Sequence, residues 1–146
     1  IKMRNMTKEQ WEQQQENIKV LADYGFDYAV TFNTRKLIAE TDLRSMVHEL
    51  ERRLNKTLIG TDWRYKGTRL HWIHNYEHES GNTHAHSVCK LCEGVNATDF
   101  KRQARRIWAE LNIGNKLAQL WIDKITNQKA VAAYVLKDGN TDYTHA

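Results

Sequence analysis

The period of apolar positions changes several times along the chain, and each change marks an element. In residues 7–24, Trp11, Ile18, Leu21 and Ala22 follow a 3.6-residue spacing that predicts a helix. Thr7 with Gln10 three residues on is a capping-box signature, and Gly25 is a stop. The polar run Glu12-Gln13-Gln14-Gln15-Glu16 is then the solvated face of that helix. Residues 26–33 (FDYAVTFN) are aromatic and β-branched, which predicts a strand. Leu43, Met46, Val47, Leu50 and Leu54 return to spacings of three and four, so 41–54 is a second helix, capped by Thr41 or Asp42. Residues 56–67 read as loop, with a short extended piece around Leu58. In 70–91 (LHWIHNYEHESGNTHAHSVCKL) two patterned runs flank the polar turn Glu79-Ser80-Gly81-Asn82, the signal for a β-hairpin. After a connector at 93–97, residues 98–111 form a third helix. Phe100, Ala104, Ile107, Trp108 and Leu111 face inward, and Lys101, Arg102, Arg105 and Arg106 lie on the other side. Residues 117–125 (with Leu120, Trp121, Ile122 and Ile125) form a strand, and Asn127 caps a last helix from Gln128 to about Lys137, ended by Asp138-Gly139-Asn140.

Without its first and last helices this order is βαββαβ. The expected fold is therefore α+β: a ferredoxin-like or RRM-like antiparallel sheet with helices on one face and the other face open to a substrate. No repeat and no dividing linker interrupts it, so residues 1–146 read as a single domain. A hydrophobic share of 40% excludes a disordered chain. Two cysteines, Cys89 and Cys92, do not make a disulfide framework and fit a reducing compartment. No apolar run reaches membrane-spanning length and no secretory leader is recognisable, so no membrane partner is expected. A net charge of +4 and a pI of about 9.1, with five Trp and six Tyr, favour a polyanionic partner, nucleic acid first.

The chemistry concentrates in the hairpin. Residues two apart on a strand share a face, so His84 and His86 project together as a chelating pair would. Glu77 lies across the turn from them, and two imidazoles with one carboxylate can hold a divalent metal. Glu79, His74 and His78 compete for the third position, because a one-residue slip in register exchanges the faces. A structural zinc site from His84, His86, Cys89 and Cys92 is a second possibility, opposed by strand parity at Cys89. On the last helix Tyr134 and Lys137 are three apart and share a face. The plain alternative is a half-buried aromatic and a C-terminal charge favoured by the helix dipole.

Taken together, the strand Tyr28-Ala29-Val30-Thr31-Phe32-Asn33, the pair His84-Ala85-His86 and the helical Tyr134-Val135-Leu136-Lys137 resemble the motifs of the HUH endonuclease superfamily, in the same order. They are most similar to single-tyrosine replication initiators of rolling-circle plasmids, phages and small DNA viruses. The resemblance extends over residues 26–143 and implies a metal-dependent, sequence-specific endonuclease and strand transferase acting on single-stranded DNA. Tyr134 would be the nucleophile and Lys137 its cationic helper. His84, His86 and Glu77 would hold Mn²⁺ or Mg²⁺. The product would be a 5′-phosphotyrosine link with a 3′-hydroxyl, initiating rolling-circle replication. The implied partners are single-stranded DNA at an origin hairpin or nick site and a helicase in cis or in trans. The implied setting is the cytoplasm of a bacterial host, or the host nucleus for a eukaryotic virus. Expected DNA contacts are Asn33, Arg35, Lys66, Arg69, Trp72, Lys101 and Arg105, with Arg102, Arg106, Lys90, Trp63 and Tyr65 as further candidates. Two other readings stand beside this one. A single-domain HUH transposase of the tyrosine type would use the same chemistry. A non-enzymatic RRM-like binder would carry aromatics where this sheet places His and Glu.

Overall fold

The structure is a computed structural model, in which residues 6–79, 82–136 and 141–143 are described. Helix α1 (Lys8–Tyr24) starts at the expected capping box: Thr7 accepts from the Gln10 backbone and Gln10 returns the bond. It ends at Gly25, whose φ of 77° is left-handed. Strand β1 (Tyr28–Asn33) leads to helix α2 (Glu40–Leu58).

Helix α2 differs from expectation at both ends. Its N-cap is Ala39, not Thr41 or Asp42, so Glu40 and Asp42 sit in the first turn, where the helix dipole favours acids. Its C-terminus runs through the residues expected to be loop. There the buried Asn55 side chain accepts the Leu70 N–H at 3.0 Å and ties the last turns to the next strand. A single turn, α3 (Trp63–Lys66), follows. The hairpin is β2 (His71–Glu79) and β3 (Asn82–Lys90). Then come α4 (Ala97–Leu111), capped by Asn96, and β4 (Gln119–Lys124). The chain continues as α5 (Gln128–Leu136) and a short strand not foreseen in the sequence, β5 (Thr141–Tyr143).

All strands pair antiparallel in the order β4-β1-β3-β2-β5. The first four, with α2 and α4 as crossovers, are the ferredoxin-like α+β arrangement, and β5 extends its β2 edge. One face carries the main core. Val30 and Phe32 of β1, Trp72 and Tyr76 of β2, and Ala85 and Cys89 of β3 pack there. Leu43, Val47, Leu50 and Leu54 of α2 and Phe100, Ala104 and Trp108 of α4 cover them. Each such large apolar side chain contributes roughly 1.5–3 kcal/mol on burial.

The opposite face is not wholly open, as the sequence had suggested. A smaller core of Phe26, Ile73, Val88, Ile125 and Val135 forms there, and Leu21 of α1 and Val131 of α5 pack against it. α1 and α5 thus roof the end of the sheet near Val88. The end near Asn33 and His84 lies beyond them, and Tyr134, in the last turn of α5, stands at the boundary.

Candidate metal centre and its tyrosine

The hairpin register decides which side chains meet. Glu77 pairs with His84 and Asn75 with His86, while Asn33 and Thr31 of β1 pair with the same two histidines from the other side. Two cross-strand rows result on one face: Gln119–Asn33–His84–Glu77 and Trp121–Thr31–His86–Asn75. One oxygen of Glu77, Oε2, lies 3.4 Å from His84 Nε2 and 3.3 Å from His86 Nε2. Among the described residues, these three form a group whose ligand atoms all fall within 4.8 Å of one another. Donors of a first-row ion, each about 2.0–2.2 Å from it, stand roughly 3 Å apart on adjacent vertices. The observed separations therefore fit a divalent ion bound by two nitrogens and one carboxylate, with further coordination positions left for substrate oxygens or water.

Neighbouring groups set the orientation. Thr31 Oγ1 is 3.4 Å from His86 Nδ1, which fixes the other nitrogen, Nε2, toward Glu77. His84 is buried and its Nδ1 has no hydrogen-bond partner among the described residues. The two imidazoles meet edge to face at 4.7 Å. His84 is buried and His86 only partly exposed, so a cation between them and Glu77 would offset the cost of holding these polar groups together.

Tyr134 joins this cluster. Its hydroxyl donates to Glu77 Oε1 at 2.9 Å, and its ring stands edge to face with His86 at 5.2 Å. One carboxylate thus faces the histidine pair with one oxygen and the phenol with the other. Helix α5 is held at both ends. Gln128 exchanges two hydrogen bonds with the Phe26 backbone, at 3.1 and 2.7 Å. Near its C-terminus, Asn75 Nδ2 donates to the Tyr134 carbonyl and Gln14 Nε2 of α1 to the Leu136 carbonyl. These last carbonyls have no intrahelical donor, so side chains from the sheet and α1 complete them.

The other expectations divide. His74 is not a ligand: it lies on the opposite face, fully buried, bonded to Ser87 at 2.6 Å and Glu51 at 3.1 Å. His78 has the same parity and pairs with Glu40 and Thr83. The side chain of Glu79 and the whole of Lys137 lie outside the described residues. Among the described residues no zinc group forms from the cysteines, because Cys89 is buried in the main core on the far face, where burial pushes its thiol pKa up.

Several expected DNA contacts stand away from the cluster. Trp72 is only 1% exposed and packs in the main core between Phe32 and Phe100, because its strand parity is that of the covered face. Lys101 and Arg105 belong to α4, on the far side of the sheet, and Lys101 lies over the Tyr28 ring. Arg102 and Arg106 share that helix and pair with Asp99 and Glu110. Lys66 pairs with Asp62, and Arg69 stacks on the buried Trp63. Both precede the start of β2, roughly 20 Å along the strand from Glu77 at about 3.3 Å per residue. Asn33 and Arg35 are beside the cluster. Asn33 is buried next to His84, and its Oδ1 accepts the Arg35 N–H at 2.8 Å, holding Arg35 at a left-handed φ of 59°.

Thr31 entered the sequence reading only as part of the strand motif, and Asn75 and Trp121 not as site residues, although all three have the strand parity of the metal face. No family model, no curated protein and no solved structure matches this chain.

Proposed function

We propose that this protein is a metal-dependent endonuclease and strand transferase for single-stranded DNA, working through a covalent tyrosine link. The observation that carries the reading is the Tyr134–Glu77 hydrogen bond of 2.9 Å, within a group where Glu77 also faces both His84 and His86. A potential nucleophile and three metal donors share one open-ended surface. When bound, Mn²⁺ or Mg²⁺ would polarise the scissile phosphate and offset its developing charge.

The residues of the chain do the rest. Tyr134 Oη attacks phosphorus, and the P–O3′ bond breaks. The phenolic proton leaves along the existing hydrogen bond to Glu77 Oε1, and the departing 3′-oxygen takes a proton to become a hydroxyl. A phenol of ordinary pKa about 10 is a weak nucleophile, so this acceptor and nearby positive charge are what activate it. The DNA strand then carries its 5′-phosphate on Tyr134. The reverse attack by a 3′-hydroxyl rejoins strands. Lys137, three residues beyond Tyr134 in the sequence, would supply positive charge to the reaction. Such an activity suits initiation of rolling-circle replication on a plasmid, phage or small viral DNA, in a bacterial cytoplasm or a host nucleus, with a helicase to expose the strand. No described helix is long and apolar enough to cross a membrane.

The test is a denaturing gel of the protein incubated with single-stranded oligonucleotides and Mn²⁺ or Mg²⁺. A covalent adduct is expected, lost with chelator and reduced at least about 10³-fold in Tyr134→Phe. Full adduct formation by Tyr134→Phe would overturn the assignment of the nucleophile. Binding on native gels that ignores chelator and never yields an adduct would leave a plain binding domain.

A further inference from the structure

The uncovered part of the metal face holds an aromatic side chain that no core explains. Trp121 of β4 is 44% exposed. Its register partner is Thr31, whose other partner is His86, so Trp121 stands on the histidine face two strands from the proposed reaction centre. At about 4.8 Å per strand that is roughly 10 Å. The flanking β4 positions Leu120 and Ile122 turn to the main core, which fixes this parity. A cleft of about 240 Å³ lies beside α5 on the same face, lined by Ala29, Thr31, His86, Val131 and Tyr134 among others, and Thr31, the register partner of Trp121, forms part of its wall. That is below the size of an ordinary small-molecule site, and its lining is mostly apolar.

Charge points the same way. Beyond the row of His84, the loop after β1 exposes Arg35 and Lys36, and the loop before β4 exposes Lys116. Asn115 Nδ2 donates to the Thr34 carbonyl at 2.7 Å and joins these two loops into one rim. At the other end of β4, Asp123 is exposed on the same face as Trp121 and disfavours phosphate there.

We propose that the β1–β4 half of this face is a stacking platform. Trp121 carries one unpaired base of a single-stranded DNA whose neighbouring phosphate reaches the histidine pair, while its backbone leaves over Arg35, Lys36 and Lys116. The proposal rests on the strand-transfer reading for its ligand. A paired base cannot stack on a side chain in this way, so the platform also selects single strands over duplex.

The experiment measures binding of a short, mixed-sequence, fluorescently labelled single-stranded DNA in chelator, where no phosphodiester is cut. Trp121→Ala is expected to weaken binding roughly 5- to 100-fold, with the salt dependence unchanged because no phosphate contact is lost. Trp121→Phe keeps most of the affinity and controls for folding. Arg35→Ala with Lys36→Ala should instead flatten the salt dependence by about 0.7 for each contact removed. Wild-type affinity in Trp121→Ala, or equal affinity of the wild type for the matching duplex, overturns the platform. The Tyr134 adduct assay on the same proteins separates the two ideas. Trp121-dependent binding without any adduct keeps the platform and sinks strand transfer. Adducts formed with binding indifferent to Trp121 do the reverse.

Discussion

Glu77 is the residue on which the site turns. Its two oxygens face different partners, the histidine pair and the Tyr134 hydroxyl, so in the proposed reaction one carboxylate would couple metal binding to the nucleophile. Thr31 acts one step further out, through His86 Nδ1. Replacing such an orienting group costs about 10–100-fold in metal affinity. Thr31→Val should therefore weaken Mn²⁺ binding by that order, measured by titration calorimetry, while thermal stability changes little. Unchanged affinity would mean that Thr31 does not orient His86. At this scale the sequence was most legible: strand parity alone placed His84 and His86 on one face, with Glu77 the first candidate for the third position. What parity could not do was choose among Glu77, Glu79, His74 and His78, because that choice needs the register, and register is set by the packing of a whole face. Trp72 shows the same limit. An aromatic on a strand serves core or ligand equally well until the covered face is known, and here α2 and α4 cover it.

Helix α5 is the element that brings the tyrosine to the metal face, and its own packing core is small. It depends on the Gln128 bonds to Phe26 at one end and on Asn75 and Gln14 at the other. Gln128→Ala removes two partly buried hydrogen bonds and should cost about 1–2 kcal/mol in urea denaturation. It should also slow adduct formation more than it affects metal affinity, since the hairpin is untouched. Equal losses of both would show that α5 and the hairpin move as one body. Helix α2 offers a pH-dependent element. Arg52 and Arg53 hold the Glu49 carboxyl down to about 2, from 4.5, chiefly through the Arg52 hydrogen bond. A lowered carboxyl contributes stability above the unfolded value and loses it as pH falls through the folded one. The Tm deficit of Glu49→Gln should thus be present at neutral pH, shrink below pH 4.5 and vanish near pH 2. Its size should be about 0.3–0.5 kcal/mol, since the pair is partly exposed. A deficit that grows on acidification would contradict this.

Across the molecule, β5 links the end of the chain back to the helical layer. Asp142 accepts from His48 at 2.7 Å and from Tyr76 at 3.2 Å, with Arg44 at 3.3 Å, and is itself buried. The carboxylate and its burial push the Tyr76 phenol pKa up, burial first. Asp142→Ala removes the anion shared by His48, Tyr76 and Arg44, of which Arg44 keeps Glu40, and should destabilise by about 2–3 kcal/mol, seen as a lower urea midpoint. A midpoint equal to wild type would show that β5 is not fastened by this residue. None of this was visible in the sequence: Thr141-Asp142-Tyr143 is too short to carry a period, and its partners lie far back in the chain.

By itself the sequence determined the order of the main elements, the βαββαβ core, both caps of the first helix, the N-cap of the last (its expected stop at 138–140 lies outside the described residues) and the pairing of two histidines on one face. All of these depend on short-range periodicity and local hydrogen bonding, which neighbouring residues carry. The tertiary structure decided the rest. It set the hairpin register that selects Glu77, the covering of one face that buries Trp72 and displaces Lys101 and Arg105, and the extension of α2 through Asn55. It also placed Tyr134 within 2.9 Å of a carboxylate 57 positions away. Those outcomes depend on which surfaces find each other across the sheet, and no local window contains both partners.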